Sequence, residues 1–353
     1  MKFHVALTAV LMAFLLPLSA FTASAGSDGI GLQENPDGSF SIEGDFVSLG
    51  YVGDLSPTFN SIGISRNLLT AQFEPLFESI DVQSFVPVSD PTLRGQSVRI
   101  SSNEVGMEFH NNPMATMSFE AVDESLITFA LEGDIGAIVD SRLARLGKGG
   151  LTAELIVQGD ATLEKSFNHI RLRMDAGSRC FFRASVIPDE FIGHEISTGT
   201  VVGELYLTQI DSNVVSDLIQ YQAVSLSPSF VSSEKAIVDI SGDFSGGRVI
   251  VLSLDKGMFN VPADKLAVRL DGNEVARASD LDEILLGGGQ SAFFASQNEG
   301  MVEVFVFVSH FSEHRIILSG GPKAVFPWDS LAVALGAAVV LLTATAYLFK
   351  KRD

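Results

Sequence analysis

The densest group of chemistry-bearing side chains is His310-Phe311-Ser312-Glu313-His314. Two histidines four apart, with a glutamate before the second, match the H-x-x-E-H spacing of inverted zinc proteases. That chemistry needs both imidazoles on one helical face and the glutamate beside a metal-bound water. The flanks point elsewhere. MVEVFVFVS before the motif and RIILS after it read as strands, and on a strand residues four apart stand about 13 Å from each other. A downstream acidic ligand of the protease kind is missing from the mostly apolar stretch that follows. The motif reads as a packed or solvent-facing turn, with His310, Glu313 and His314 as the candidate metal ligands.

A second candidate set is acidic. Asp280, Asp282 and Glu283, with Asp271 and Asn273 nearby, offer oxygen donors of the kind Ca²⁺ accepts. The EF-hand order fails, because its glycine is not at the sixth position. Helix capping and a solvated acidic face explain the same residues without an ion. Calcium is the one ion these clusters raise, and no other cofactor is expected. His110 and Glu108 in EFHNNP supply two ligands at most and read as a hydrogen-bonded turn before Pro113. Gly147-Lys148-Gly149-Gly150-Leu151-Thr152 lacks the Gly-Lys-Ser/Thr order of a phosphate loop, and no G-x-S-x-G elbow occurs. Cys180, the single cysteine, lies among aromatics in RCFFRASV and reads as a buried apolar residue. No catalytic residues are assigned, and the chain is expected not to be an enzyme.

The elements that must position these groups are mostly strands. VVGELYL, YQAVSLS, KAIVDIS, GRVIVLSLD, KLAVRLDG and MVEVFVFVS are short, branched or aromatic, and bounded by turn formers. Asp271-Gly272-Asn273 and Asp37-Gly38 read as hairpin turns, since glycine and asparagine tolerate positive φ. A helix is expected at Ser279 to Leu286, stopped by Gly287-Gly288-Gly289, and another short one at 136–147. The fold class is mostly β, antiparallel sheets packed as sandwiches. Composition divides the chain into an irregular region at 26–100, a β-rich unit at 101–230 and a sandwich at 236–320, with a serine-rich boundary at Ser225 to Lys235.

The two ends predict export. Lys2, the apolar run Val5 to Leu16 and Ala23-Ser24-Ala25 have the form of a cleaved signal peptide covering 1–25. Leu331 to Phe349 carries no charge, and at about 1.5 Å per residue it reaches roughly 28 Å, one bilayer core. Trp328 begins this span at 328–349, and Lys350-Lys351-Arg352 follows as the cationic stop of a cytoplasmic tail at 350–353. The expectation is a single-pass cell-membrane protein with its N-terminal portion outside. A formal net charge of −20 excludes nucleic acid as a partner.

Three stretches resemble a group of uncharacterised, membrane-anchored archaeal cell-surface proteins. They are MEFHNNPMATM from Met107, GRVIVLSLDKGMF from Gly247, and KLAVRLDGNEVARASDLDEIL running on to VFVFVSHFSEHRIIL, with the strand closed by SHFSEH the most specific part. The resemblance covers residues 100 to 320. It implies a surface location and a β-rich fold, and carries no activity to any residue. Together these readings lead to a non-enzymatic surface protein with a structural or adhesive role, its partners the membrane and other envelope proteins or itself. The alternatives are an extracellular ligand- or solute-binding module, which needs a pocket with convergent polar groups, and an exported hydrolase, which needs paired carboxylates or a metal in a cleft.

Overall fold

A computed structural model describes residues 30–320, apart from 35–38, 45, 53–57, 66–72, 134, 149–150, 186–190 and 299. The expected signal peptide, the Asp37-Gly38 turn and the expected membrane span lie outside the described residues. Among the described residues, no helix is long and apolar enough to cross a membrane.

The described chain is strand after strand. The first part runs β1 (Ile30–Glu34), β2 (Phe40–Gly44), β3 (Val47–Val52), β4 (Thr58–Ser65), β5 (Phe73–Val82), β6 (Thr92–Arg94), β7 (Ser97–Ser101) and β8 (Val105–His110). It continues with β9 (Met117–Ala121), β10 (Ser125–Leu131), β11 (Gly136–Val139), β12 (Leu143–Lys148), β13 (Leu151–Gln158), β14 (Ala161–Ser166), β15 (His169–Met174) and β16 (Arg179–Ser185). After the short helix α1 (Gly193–Thr198) come β17 (Val201–Ile210), β18 (Asn213–Gln220), β19 (Val224–Ser232), β20 (Lys235–Gly242) and β21 (Arg248–Asp255). A 3₁₀ turn at Ala263–Lys265 leads to β22 (Leu266–Leu270), β23 (Asn273–Glu274) and β24 (Ala276–Arg277). The helix α2 (Leu281–Leu286), β25 (Ala292–Gln297), β26 (Met301–Val308) and β27 (His314–Gly320) complete it.

These strands form four sheets, ordered β1-β2-β3-β4-β5-β10-β15-β14, β11-β12-β13-β16-β9-β8-β7-β6, β18-β17-β21-β26-β25-β24 and β19-β20-β27-β22-β23. Pairing is antiparallel except between β17 and β21 and between β24 and β25. Strands before residue 186 make the first two sheets and strands after 200 make the other two. The composition breaks near 100 and at Ser225 to Lys235 therefore fall inside sheets. The serine-rich stretch is edge strand β19 and its turn into β20, where Pro228 is tolerated because an edge strand can spare an N–H.

Side-chain alternation stacks the sheets into layers. In β8 and β9, Val105, Met107, Phe109, Met117 and Phe119 enter the first core, shared with the opposite sheet. In β26, Val302, Val304, Val306 and Val308 enter the second core. The other face of each inner sheet is also covered. Ile156 and Phe181 from the first sandwich pack with Tyr206, Val251 and Phe305 from the second in a third apolar cluster. A strand covered on both faces reads as a continuous apolar run, and every residue of β26 is buried.

Two local expectations meet different outcomes. Helix α2 forms where expected, with Asp280 as N-cap accepting from the Glu283 backbone N–H at 2.9 Å. Residues 136–147 are not a helix but the hairpin β11–β12. Asp140 turns that chain by accepting from the backbone N–H groups of Arg142 and Leu143 at 2.8 and 3.0 Å, a local alternative to helix that short acidic side chains offer.

Candidate functional site in the junction between the sandwiches

Period-2 alternation decides which polar residues reach the junction. Strands β7, β8, β9 and β16 send their apolar residues, Phe181 apart, into the first core and turn Ser97, Arg99, Glu108, His110, Ser118, Glu120, Arg179 and Arg183 to the opposite face. Arg99 pairs in register with Glu108, and Glu120 with Arg179. The second sandwich covers part of this face and leaves a polar cleft of about 230 Å³. Arg94, Arg99, Glu108, His110, Glu120 and Arg179 line it from one side, and Leu218, Ile219 and Gln220 of β18 from the other.

At the edge of the cleft an ion pair joins the sandwiches. His110 Nδ1 meets Asp217 Oδ1 at 2.8 Å, and Asn112 Nδ2 donates to Asp217 Oδ2 at 2.7 Å. Burial lowers the His110 pKa most strongly, but the Asp217 carboxylate outweighs it and holds the imidazole above its ordinary value. Arg179 donates to the carbonyls of Tyr221 and Gln220 at 3.2 and 2.9 Å and lies over the Phe181 ring. Glu108 accepts from Ser97 Oγ at 2.6 Å. Among the described residues, Arg99 and Glu120 make no ion pair.

Deeper in the junction lies a closed charge network. Arg183 Nε donates to Glu204 Oε2 at 2.9 Å, and its Nη2 to Glu303 Oε1 at 2.6 Å. The Tyr221 hydroxyl and Ser253 Oγ also donate to Glu204, at 3.0 and 3.2 Å. Glu204 is 0 % exposed and Glu303 1 %, and a buried carboxylate is tolerated when donors saturate it. Burial works against the Arg183 charge, yet Glu204 and Glu303 hold its pKa well above the usual arginine value. Burial, and then Glu204, push the Tyr221 phenol well up. This network joins the sandwiches, and its Arg183, Glu204 and Glu303 side chains are all buried.

The residues singled out in the sequence lie elsewhere. His314 Nδ1 meets Asp271 Oδ2 at 2.6 Å and its Nε2 meets the His310 carbonyl at 2.7 Å. Nε2 also lies 3.2 Å from the Ser312 hydroxyl, so both ring nitrogens are engaged within the protein's own hydrogen bonds. His310 and Glu313 sit in the same turn between β26 and β27. Asp280 and Glu283 are spent on α2: Glu283 reaches back to accept from the backbone N–H of Ser279, one residue before the N-cap, at 2.9 Å, while Asp282 occupies the first turn. Among the described residues, no three His, Cys, Asp or Glu side chains come together as a metal site. Cys180 is buried in the first core, and desolvation pushes its thiol far up. His110 and Glu108, read as part of a turn, stand instead on β8 and line the cleft.

Sequence reading missed Arg99, Glu120, Arg179, Asp217 and the Arg183 network. A signal existed for part of it. Glu204 in VVGELYL and Glu303 in MVEVFVF are acids inside apolar runs, positions that demand a buried partner. A wider groove of about 1600 Å³ opens along the edge of the second sandwich, lined by Lys235, Lys265, Leu266 and Arg277 among others. Arg277 is already held by the carbonyls of Ala263 and Ala295 and stacked on Phe293, so it is the weaker candidate.

No protein-family model matches the chain, and no curated protein matches it. Among solved structures, the chain is similar to a mutant glycoside hydrolase family 81 protein from Clostridium thermocellum, with a TM-score of 0.35 and 8% identity, over 89% of this chain and 38% of that one. The chain thus spans well under half of that protein's length. Neither the comparisons nor the described structure supports the expected non-enzymatic structural or adhesive role, and that expectation is withdrawn. The likeness transfers nothing further: at that TM-score no residue, substrate or reaction passes to this chain.

Proposed function

We propose that this chain binds a small polar ligand in the cleft between its sandwiches. One observation carries the reading: both sandwiches line a polar cavity in which Arg99 and Glu120 make no ion pair among the described residues. Charged side chains held on paired strands around a shared cleft are pre-organised for a ligand of complementary charge. Calorimetric titration of the full chain with sugars, sugar acids and amino acids is the test. Binding that survives both Arg99→Gln and Glu120→Gln unchanged removes the cleft as the site.

A second reading, hydrolysis in the same cleft, is favoured by Glu108 and Glu120 on one face of adjacent strands, the paired carboxylates that acid–base cleavage requires. It predicts that Glu108→Gln or Glu120→Gln abolishes product formation while the ligand still binds.

We also propose display outside a cell membrane, supported by the apolar run Leu331 to Phe349 and the basic residues after it. Protease treatment of intact cells should then remove residues 30–320, and full protection overturns the topology.

A further inference from the structure

Resting on the cleft reading, we propose that Arg99 and Arg179, which line the same cleft, form an oxyanion subsite, so that the ligand carries a carboxylate- or phosphate-type group. Gly106 lies opposite Ser101 and Glu120 on the strands flanking β8. Having no side chain, it leaves a gap in the cross-strand row Ser101–Gly106–Glu120–Arg179, beside the Arg99–Glu108 pair. A Cβ built there would meet the Arg99 Nη2 at 3.6 Å, so the guanidinium lies over that gap. Farther along that row, past Glu120, stands Arg179, part-buried, with carbonyls taking only two of its donors.

Two guanidinium groups lining one part-buried cleft favour a negative ligand group near both. Burial, joined by the nearby Arg99 charge, keeps the Arg179 pKa below the usual arginine value even against Glu120 and Glu108. The setting sharpens the point. In a chain of net charge −20, the cleft gathers Arg94, Arg99 and Arg179 against two glutamates, a local positive excess. Planar guanidinium forks suit bidentate capture of an oxyanion, and Glu108 and Glu120 are placed to accept from donors elsewhere on the same ligand.

The test is titration of the full chain with inorganic phosphate and with acetate at fixed ionic strength, chloride serving as the blank, followed by calorimetry and by NMR of the arginine side chains. Expected are saturable binding, weakening by about 10- to 100-fold in Arg99→Gln, partial rescue in Arg99→Lys, and loss in Gly106→Leu, which fills the floor without altering charge. Lys265→Gln, on the far groove, should bind as the parent does. Circular dichroism and melting curves establish that each variant is folded, and Arg99→Lys serves where Gly106→Leu is not. Stronger binding of phosphate than acetate identifies the phosphate-type source, and the reverse order the carboxylate type. Absence of saturable binding, or equal binding by parent and Arg99→Gln, overturns the oxyanion subsite. If a neutral sugar binds and Gly106→Leu blocks it while neither anion binds, the subsite falls and the cleft stands.

Discussion

Glu204 and Glu303 each interrupt a strand that is otherwise apolar, and Arg183 is what makes them tolerable there. Removing one partner of a buried ion pair leaves the other charge uncompensated at a cost of about 3–5 kcal/mol, whereas replacing all partners by neutral groups is often harmless. Arg183→Met should therefore lower the unfolding free energy by about 3–5 kcal/mol in a denaturant titration, and the triple change Arg183→Met with Glu204→Gln and Glu303→Gln should recover most of that loss. A single-variant effect under about 1 kcal/mol would mean that water reaches the network. His110 makes a prediction of the opposite chemical type. Its pKa is raised in the fold by Asp217, so the folded state binds its proton more tightly than the unfolded chain does. That stabilisation is fully present below the unfolded value of about 6.5 and is lost as pH rises through the higher folded value. Denaturation midpoints measured from pH 5.5 to 9 should fall over that window in the parent. The fall should flatten in Asp217→Asn, and an unchanged slope would assign it to another group. Which residues pair with Arg183 and with His110 is not visible in sequence, since each pair joins strands of different sandwiches.

Single elements show why some of the fold was legible and some was not. The strands of the second sandwich announce themselves because their composition, branching and turn residues agree, and Asp271-Gly272 turns the β22–β23 hairpin with positive φ at both residues, 51° and 84°. Helix α2 was legible from its cap. Asp280→Ala should cost about 1 kcal/mol through the lost bond to the Glu283 N–H. Because these carboxylates are already engaged as caps, millimolar Ca²⁺ should leave the parent Tm where chelator leaves it. A calcium-dependent rise that vanishes in Asp280→Ala would return the cluster to the status of an ion site. Residues 136–147 misled because Val139, Leu143 and Leu146 are spaced as a helix face would be, while the Asp140 turn that reverses the chain depends on one side chain's choice of backbone partner. In β8 the spacing of Glu108 and His110 placed both on one strand face, yet nothing local told which sheet would cover it.

At the scale of the molecule, the junction decides whether two sandwiches behave as two bodies or one. Its apolar cluster includes Ile156 and Phe181 from the first sandwich and Tyr206, Val251 and Phe305 from the second, all nearly inaccessible to solvent. Burying each such side chain contributes about 1.5–3 kcal/mol, and the Arg183 network adds bonds that neither sandwich can make alone. An interface of that kind resembles a core more than a contact between independent domains. The described chain should therefore unfold in a single transition, with circular dichroism, tyrosine fluorescence and hydrogen exchange coinciding. Ile156→Asp, which places an unpaired charge against Phe181 and the second sandwich, should separate that transition into two while each sandwich keeps its own core. Two transitions in the parent would show that the junction is weaker than its burial implies. The cleft would then open with the junction, and ligand binding at Arg99 and Arg179 would have to raise the stability of both sandwiches together, in proportion to ligand concentration.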